Sequence, residues 1–259
     1  MKKLLICGIL LACSLTGTAQ TFFDVDGIRY MIEDDHAVVA RQDCELTGDF
    51  EIPATVTYGE TEYPVTRLMS PDDSESGGSG AFQGCEITSI SLPASITDIP
   101  NNAFADCQQL SSIVLQGPVT RIGESSFSSC EALTTINMPD ELTVIDNFAF
   151  YRCNSLSSIT IPKRVTTIGY LALAECSSLS SFNVAEGNSY YSSENGVLFN
   201  KNKTILLQYP QAKSETSYII PNSVTSITYM AFFGCSILTS VTIPNSMKNI
   251  GEYAFNGCI

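Results

Sequence analysis

The 259-residue sequence predicts a solenoid of stacked repeats that is mainly β, with short helical or 3₁₀ turns. Three observations predict this fold class: cysteine recurs at a nearly constant spacing, phenylalanine keeps the same spacing, and rows of isoleucine recur between them. A unit of about 23 residues is too small to bury its own apolar face, whereas stacked units share one continuous core. The pattern therefore favours a repeat coil.

Seven cysteines mark the repeats, at spacings of 22, 23, 23, 23, 59 and 23 residues. Each follows a phenylalanine by three residues, except that Leu173 replaces the phenylalanine in one copy. We expect these side chains to form a structural ladder in the core, with Cys85, Cys107, Cys130, Cys153, Cys176, Cys235 and Cys258 beside Phe82, Phe104, Phe127, Phe150, Phe232 and Phe255.

The cysteine row admits more than one chemistry. Neighbouring turns would bring cysteines within the Cα separation that a disulfide allows, but seven cysteines in register cannot all pair. A zinc ladder is disfavoured, because a closed zinc site needs four ligands around one point and the repeats contain no histidine. We therefore expect buried free thiols, and neither a metal nor another cofactor.

Each repeat divides into three short segments. Leu-x-x-Ile-x-Ile alternates as a strand does, and a following proline ends the strand by removing a hydrogen-bond donor. Val-Thr-x-Ile predicts a second extended segment. Ala-Phe-x-x-Cys has apolar residues at three-residue spacing, which suits one helical or 3₁₀ turn. Each turn is thus predicted to be strand, strand, short helix.

From Val65 to Cys258 this pattern resembles the BspA-like, Treponema-type leucine-rich repeats of bacterial surface proteins. The resemblance implies a right-handed leucine-rich-repeat coil that is secreted or displayed on the cell surface. It also implies a function in adhesion or in binding a protein or glycan, without catalysis.

The predicted domains are an N-terminal β cap at residues 20–64 and a solenoid at residues 65–259. Extra residues at about 182–210 contain Asn195-Gly196 between alternating apolar runs, which is hairpin-turn chemistry. We expect one or two β-hairpins that project from the solenoid. The last repeat is incomplete, which favours a fragment of a longer protein over an open last turn.

Residues 1–19 have the features of a secretory signal peptide: a basic start, a short apolar stretch and small residues at Gly17 and Ala19. An alternative is lipidation at Cys13, which would give a periplasm-facing lipoprotein. No later stretch has the roughly 18 consecutive apolar residues of a transmembrane span. The predicted localisation is exported, at the cell surface or extracellular.

The charge and the titratable residues disfavour several function classes. The formal net charge of −14 disfavours nucleic-acid binding, which depends on lysine and arginine neutralising phosphates. His36, the only histidine, follows Glu33, Asp34 and Asp35 and is interpreted as part of a solvated turn. Asp72, Asp73 and Glu75 lie in a glycine-rich loop and could chelate calcium, but their spacing matches no EF-hand. The loop is therefore interpreted as a solvated loop, with calcium binding as the alternative. A hydrolase remains a remote alternative, with no catalytic residue predicted.

Two groups of residues are predicted to contact a partner. The outward positions of the front strands form a polar stripe that includes Thr134, Asn137 and Thr160. The inserted segment supplies aromatic anchors, a residue class enriched in interface hot spots, at Tyr190, Tyr191, Phe199 and Tyr209. The expected partner is a protein or polysaccharide of the host matrix, of mucin or of other bacteria. The alternative is a passive spacer that presents a missing C-terminal domain.

Overall fold

The computed structural model describes residues 20–43, 45–73 and 78–258, so the predicted signal peptide, Cys13 and Glu75 lie outside the described residues. It is a mainly-β solenoid of about seven turns with almost no helix, which confirms the predicted fold class. Within the described residues the one helical element is a 3₁₀ helix at Pro71–Asp73.

The N-terminal segment forms a five-stranded sheet in the order β1-β2-β3-β6-β5. Its strands are β1 (Thr21–Val25), β2 (Ile28–Glu33), β3 (His36–Val39), β5 (Thr55–Tyr58) and β6 (Thr61–Leu68). Within the segment 20–64, β4 (Thr47–Glu51) pairs in parallel with the first front strand, β7 (Glu86–Leu92). The cap is therefore hydrogen-bonded into the solenoid.

Two rows of short parallel strands build the coil. The front row continues from β7 through β9 (Ser112–Leu115), β11 (Thr135–Ile136), β13 (Ser158–Ile161), β15 (Ser181–Val184), β19 (Ser217–Ile219) and β21 (Ser240–Thr242). The second row consists of β8 (Asp98–Ile99), β10 (Arg121–Ile122), β12 (Val144–Ile145), β14 (Thr167–Ile168), β18 (Ile205–Gln208), β20 (Ser226–Ile227) and β22 (Asn249–Ile250). Pairing in register, as of Ile113 with Ile136, places equivalent side chains above one another.

The phenylalanine ladder forms the centre of the core. Phe82, Phe104, Phe127 and Phe150 are fully buried. Their ring centroids lie 5.2 to 5.3 Å apart and their planes are within 6° of parallel. A repeat spacing of one strand width thus stacks each ring on the next, and burial of four large side chains supplies much of the hydrophobic stabilisation of this block.

The third segment of each repeat differs from the predicted helical turn. Ala103, Ala105 and Cys107 donate backbone hydrogen bonds to carbonyls three residues earlier, whereas the N–H groups between them donate to the next turn of the coil. Asn102 and Asp106 adopt the left-handed backbone region, with φ of 55° and 61°. Because alternate N–H groups pair between turns, the segment is a run of hydrogen-bonded turns and no continuous helix forms.

The inserted segment lies within the solenoid and does not project from it as predicted. β16 (Tyr191–Glu194) and β17 (Val197–Asn200) form a hairpin, β17 pairs antiparallel with β18, and β18 belongs to the second row. All three apolar side chains of β17 are buried. Leu198 belongs to the N-terminal core, whereas Val197 and Phe199 belong to a separate C-terminal core. β17 is therefore a wall between two cores.

Candidate binding surface

Hydroxyl groups on the outer side of the front row hold adjacent turns together. The Thr134 hydroxyl donates to the Ser111 carbonyl at 3.2 Å, and the Ser111 hydroxyl donates to the Thr88 carbonyl at 2.9 Å. The same bond recurs from Ser180 to Ser157 and from Thr239 to Thr216. Several hydroxyl groups of the polar stripe thus already form hydrogen bonds within the protein. The side chains of Thr134, Asn137 and Thr160 are nevertheless exposed.

The front row is interrupted once within the regular turns. β11 pairs with β9 on one side, and β13 pairs with β15 alone. Among the described residues, Ser157 makes neither the backbone nor the hydroxyl bond to Thr134 that equivalent residues make to the turn before. Hydrogen bonds resume at both ends of the gap, from Ser155 to Glu131 at 3.1 Å and from Thr166 to Thr143 at 2.9 Å. The two strands are thus separated over one short stretch.

Asn137 lies at the edge of this gap, and its side chain bonds to the strand on the opposite side, β9. Its amide oxygen accepts from the Leu115 N–H at 3.3 Å, and its amide nitrogen donates to the Leu115 carbonyl at 3.2 Å. The side chain therefore satisfies both the N–H and the carbonyl of Leu115. Asparagine side chains commonly replace backbone–backbone hydrogen bonds in this way. A groove opens on the other side of Asn137, between β11 and β13.

The groove has a volume of about 320 Å³ and combines an apolar floor with polar edges. Ile136 and Met138 are half-buried there, whereas the equivalent residues Ile113 and Leu115 are buried. The groove is lined by Thr135, Ile136, Asn137, Met138, Asp140, Ser158, Ile159, Thr160 and Pro162. It thus contains two of the predicted contact residues, Asn137 and Thr160, while Thr134 lies just before it.

Sequence reasoning missed the apolar floor. Met138 occupies the position that Leu115 and Ile161 hold in neighbouring repeats, so composition alone makes it a core residue. Its partial exposure follows from the missing pairing between β11 and β13, which the repeat spacing does not indicate.

The aromatic residues of the insertion divide into surface and core. Tyr190 is 53% exposed. Tyr191 is half-buried, and its hydroxyl accepts the Ile168 N–H at 2.9 Å. Phe199 and Tyr209 are buried, and Tyr209 stacks on Phe232 as the ladder ring of its own turn. These last two rings belong to the core, so Tyr190 is the exposed aromatic of the four.

A second cavity, of about 230 Å³, lies within the cap, between the β1–β2 turn and β4. Asp49 on its edge accepts hydrogen bonds from the hydroxyls of Thr88 and Ser89 at 2.6 and 2.7 Å, and these bonds lower the pKa of its carboxyl. The Asp49 carboxylate is thus already satisfied within the protein. Its bonds tie the cap strand β4 to β7.

The cysteine row lies inside the coil. Cys107, Cys130, Cys153 and Cys176 are buried free thiols, each donating to the carbonyl of a phenylalanine in the preceding turn at 2.9 to 3.2 Å. Burial raises the pKa of Cys107 and of Cys176 to about 12, and the pKa of Cys130 and of Cys153 lies well above its ordinary value. A protonated thiol is not a good nucleophile, so this row is suited to packing.

The acidic residues near His36 pair with basic groups of the cap. The imidazole lies 3.3 Å from Glu33, and Arg67 donates to the same carboxylate at 2.7 Å. Arg67 also contacts Asp73 at 2.6 Å, and the Ser70 N–H donates to that carboxylate at 2.7 Å. Among the described residues no group of three or more histidine, cysteine, aspartate or glutamate side chains could hold a metal ion.

The repeat sequence matches a known family. A profile described as "BspA type Leucine rich repeat region" matches residues 75–204 and 209–259 in six copies. Among curated proteins, none matches the chain. Within the described residues, no helix has the length and hydropathy needed to cross a membrane.

Solved structures with the same architecture come from several bacteria. The pneumococcal vaccine antigen PcpA is 25% identical, with a TM-score of 0.67 over 92% of this chain and 68% of the antigen. A leucine-rich cell surface protein from Faecalibacterium prausnitzii is 25% identical, with a TM-score of 0.58 over 91% of this chain and 73% of that one. A leucine-rich repeat protein from Bacteroides ovatus is 27% identical, with a TM-score of 0.62 over 91% of this chain and 57% of its own length. The profile and these structures together show that the chain belongs to the BspA-type leucine-rich-repeat family.

Proposed function

We propose that this protein is an exported, non-catalytic surface protein that binds an extended protein or polysaccharide in adhesion, through the groove beside Asn137. The interruption of the front row carries the proposal. A passive spacer would be more stable with an unbroken front row, because each missing hydrogen bond between strands leaves backbone groups that must bond to water. The resemblance to a described cell-surface protein supports display outside the cell.

The chemistry of the groove suits a partner with both polar and apolar groups. Ile136 and Met138 offer an apolar floor, and Thr135, Asn137 and Thr160 offer donors and acceptors at its edge. Small sites of this composition orient a ligand through the polar groups and gain affinity from the apolar floor. Tyr190 adds an exposed aromatic ring on the inserted segment.

A binding array with purified residues 20–259 tests the proposal on matrix proteins, mucin, glycans and bacterial cells. Thr160→Arg would fill the groove with a long side chain, and Thr242→Arg would place the same charge at the equivalent, exposed position of β21. We expect at least tenfold weaker binding for Thr160→Arg and unchanged binding for Thr242→Arg. Equal binding by both variants would exclude the groove, and no binding by the unmodified protein would favour the spacer.

Export is tested separately in the native bacterium. Protease treatment of intact cells should remove the protein, and Cys13→Ala should leave it exported if residues 1–19 are cleaved as a signal peptide. Release of the alanine variant from membranes into the soluble fraction would instead indicate a lipid anchor at Cys13. Protection of the unmodified protein from protease in intact cells would contradict surface display.

A further inference from the structure

Aromatic side chains form a continuous row at the corner that follows the second strands. We name Phe148, Tyr170, Tyr229 and Tyr253 the aromatic ridge. Successive ring centroids lie 5.7, 5.2 and 5.6 Å apart. The contact of Tyr170 with Tyr229 crosses the insertion, although 59 positions separate the two residues in the sequence. The ridge therefore runs without a break over both cores.

The ridge is partly exposed. Tyr170 is 49% and Tyr253 is 57% exposed, whereas Phe148 and Tyr229 are half-buried. Phe148 and Tyr253 adopt left-handed backbone, with φ of 55° each, but this conformation belongs to the repeat, because the equivalent residues of the other turns share it: Asn102, Ser125, Leu171 and Met230. The exposed aromatic rings, and not the backbone, therefore distinguish the ridge.

Carboxylates border the ridge. Glu252 directly precedes Tyr253 in the sequence. Partial desolvation, the hydroxyl of Tyr229 and the negative charge of Glu252 raise the pKa of Tyr170 to about 12. At the other end the Tyr151 ring contacts Phe148 edge-on, and its hydroxyl donates to Glu175. With a formal net charge of −14, the chain attracts cationic partners and repels acidic ones.

One arginine of the chain already binds in this manner. The Arg152 guanidinium lies 5.2 Å from the centre of the Tyr151 ring, and its Nε donates to Glu175 at 2.8 Å. A guanidinium thus sits over a ring while pairing with a carboxylate, the arrangement that combines cation–π attraction with a charged hydrogen bond. The ridge offers exposed rings for the same kind of contact at Tyr170 and Tyr253.

From this arrangement we infer that the aromatic ridge binds an extended, arginine- and lysine-rich segment of a partner protein. Ring planes that meet at 84°, 44° and 70° form no flat platform for a chain of sugar rings. The solvent-exposed faces of Tyr170 and Tyr253 can each stack with a planar guanidinium group, and arginine stacks on aromatic faces better than lysine does. The site is distinct from the groove beside Asn137.

The test measures binding of octa-arginine, octa-lysine and octa-glutamate peptides to the mature protein by titration calorimetry. We expect octa-arginine to bind at least threefold more tightly than octa-lysine at equal charge, and octa-glutamate not to bind. Tyr170→Ala should weaken octa-arginine at least fivefold, whereas Tyr170→Phe, which keeps the ring, should stay within twofold. Phe22→Ala removes an aromatic residue of similar exposure, 48%, from the distant strand β1 and should have no effect.

Several results would overturn the inference. Absence of octa-arginine binding would do so, as would equal affinities for the two cationic peptides, which would indicate unspecific attraction to an acidic protein. An equal loss in Tyr170→Ala and Phe22→Ala would likewise exclude the ridge. Binding of a neutral polysaccharide that depends on Tyr170, without binding of octa-arginine, would assign the ridge to carbohydrate. Matching thermal unfolding curves for all variants establish that each is folded.

Discussion

In the regular block, from Phe82 to Cys176, each turn adds the same rows to one core, whereas in the insertion block, from Phe182 to Cys258, a non-repeating segment starts a second core. The regular rings stack within 6° of parallel. In the insertion block Tyr209 replaces phenylalanine, and its ring meets Phe232 at 23°. A solenoid can thus accommodate extra residues where one strand, β17, buries side chains on both faces. The turns after β17 then stack in the same direction as the turns before it.

Alkaline pH should produce the largest effect, and mainly through the regular block. Burial raises the pKa of Cys107 to about 12, above the value of about 8.5 for a thiol in an unfolded chain. Between these values the unfolded state binds fewer protons than the folded state, so the free energy of unfolding falls as pH rises. Below about pH 8.5 the stabilising contribution of the thiol is fully retained. Each such thiol contributes a loss of about 1.4 kcal/mol per pH unit.

Urea titrations from pH 8 to pH 11 measure this dependence. Cys107→Ala should reduce the slope by the contribution of one thiol, whereas Cys258→Ala should change it less, because Cys258 is only half-buried. A slope in Cys107→Ala that equals the slope of the unmodified protein would show that the thiols do not control alkaline stability.

A cavity in β17 should separate the two cores. Leu198→Ala removes a buried side chain of the wall and should cost about 2–5 kcal/mol. Leu133→Ala removes an equally buried leucine inside the regular block, at a similar cost. Only Leu198→Ala should convert a single urea transition into two, because the neighbours of Leu198 belong to the other core. One cooperative transition in both variants would contradict the role of β17 as the link.

Asn188 anchors the insertion to the regular block and should have the next largest effect. Its buried amide donates to the carbonyls of Pro162 and Val165 at 2.8 and 3.1 Å and accepts the N–H groups of Tyr190 and Tyr191 at 2.8 Å each. Asn188→Ala leaves these groups without a partner and should lower the free energy of unfolding by about 2–3 kcal/mol. Asn183→Ala, at an exposed position of β15, should change it by less than about 0.5 kcal/mol in the same urea titration.

The regular block was predictable because its periodicity is local. Cysteine, phenylalanine and isoleucine recur at one spacing, and one spacing allows one stacked arrangement, as the burial of Phe127 and Ile122 confirms. The sequence also contained an unused signal at Tyr209, which precedes Phe232 by the repeat length of 23 residues. That spacing identifies Tyr209 as a ladder residue and not as a surface anchor.

The insertion and the groove were not predictable from local pattern. Turn chemistry at Asn195-Gly196 predicts the hairpin, but whether it projects or becomes a wall depends on which distant side chains surround Leu198. The groove likewise depends on whether β11 pairs with β13, a strand of the next repeat. Both outcomes result from competition between non-local contacts, which repeat spacing does not encode.

The smallest expected effect comes from backbone strain at the residue before each repeat cysteine, which is left-handed in every turn. This residue is glycine in both turns of the insertion block, at Gly234 and Gly257, whereas in the regular block it is glycine only in the first turn, at Gly84, and Ser129 has φ of 59°. Ser129→Gly removes the steric cost of a left-handed side chain and adds a smaller entropic cost in the unfolded chain. The net result should be a gain of about 0.5–1 kcal/mol in urea unfolding. Ser128→Gly, at a neighbouring position with ordinary backbone, should instead destabilise the protein, so a loss of stability in both variants would show that the left-handed turn carries no strain.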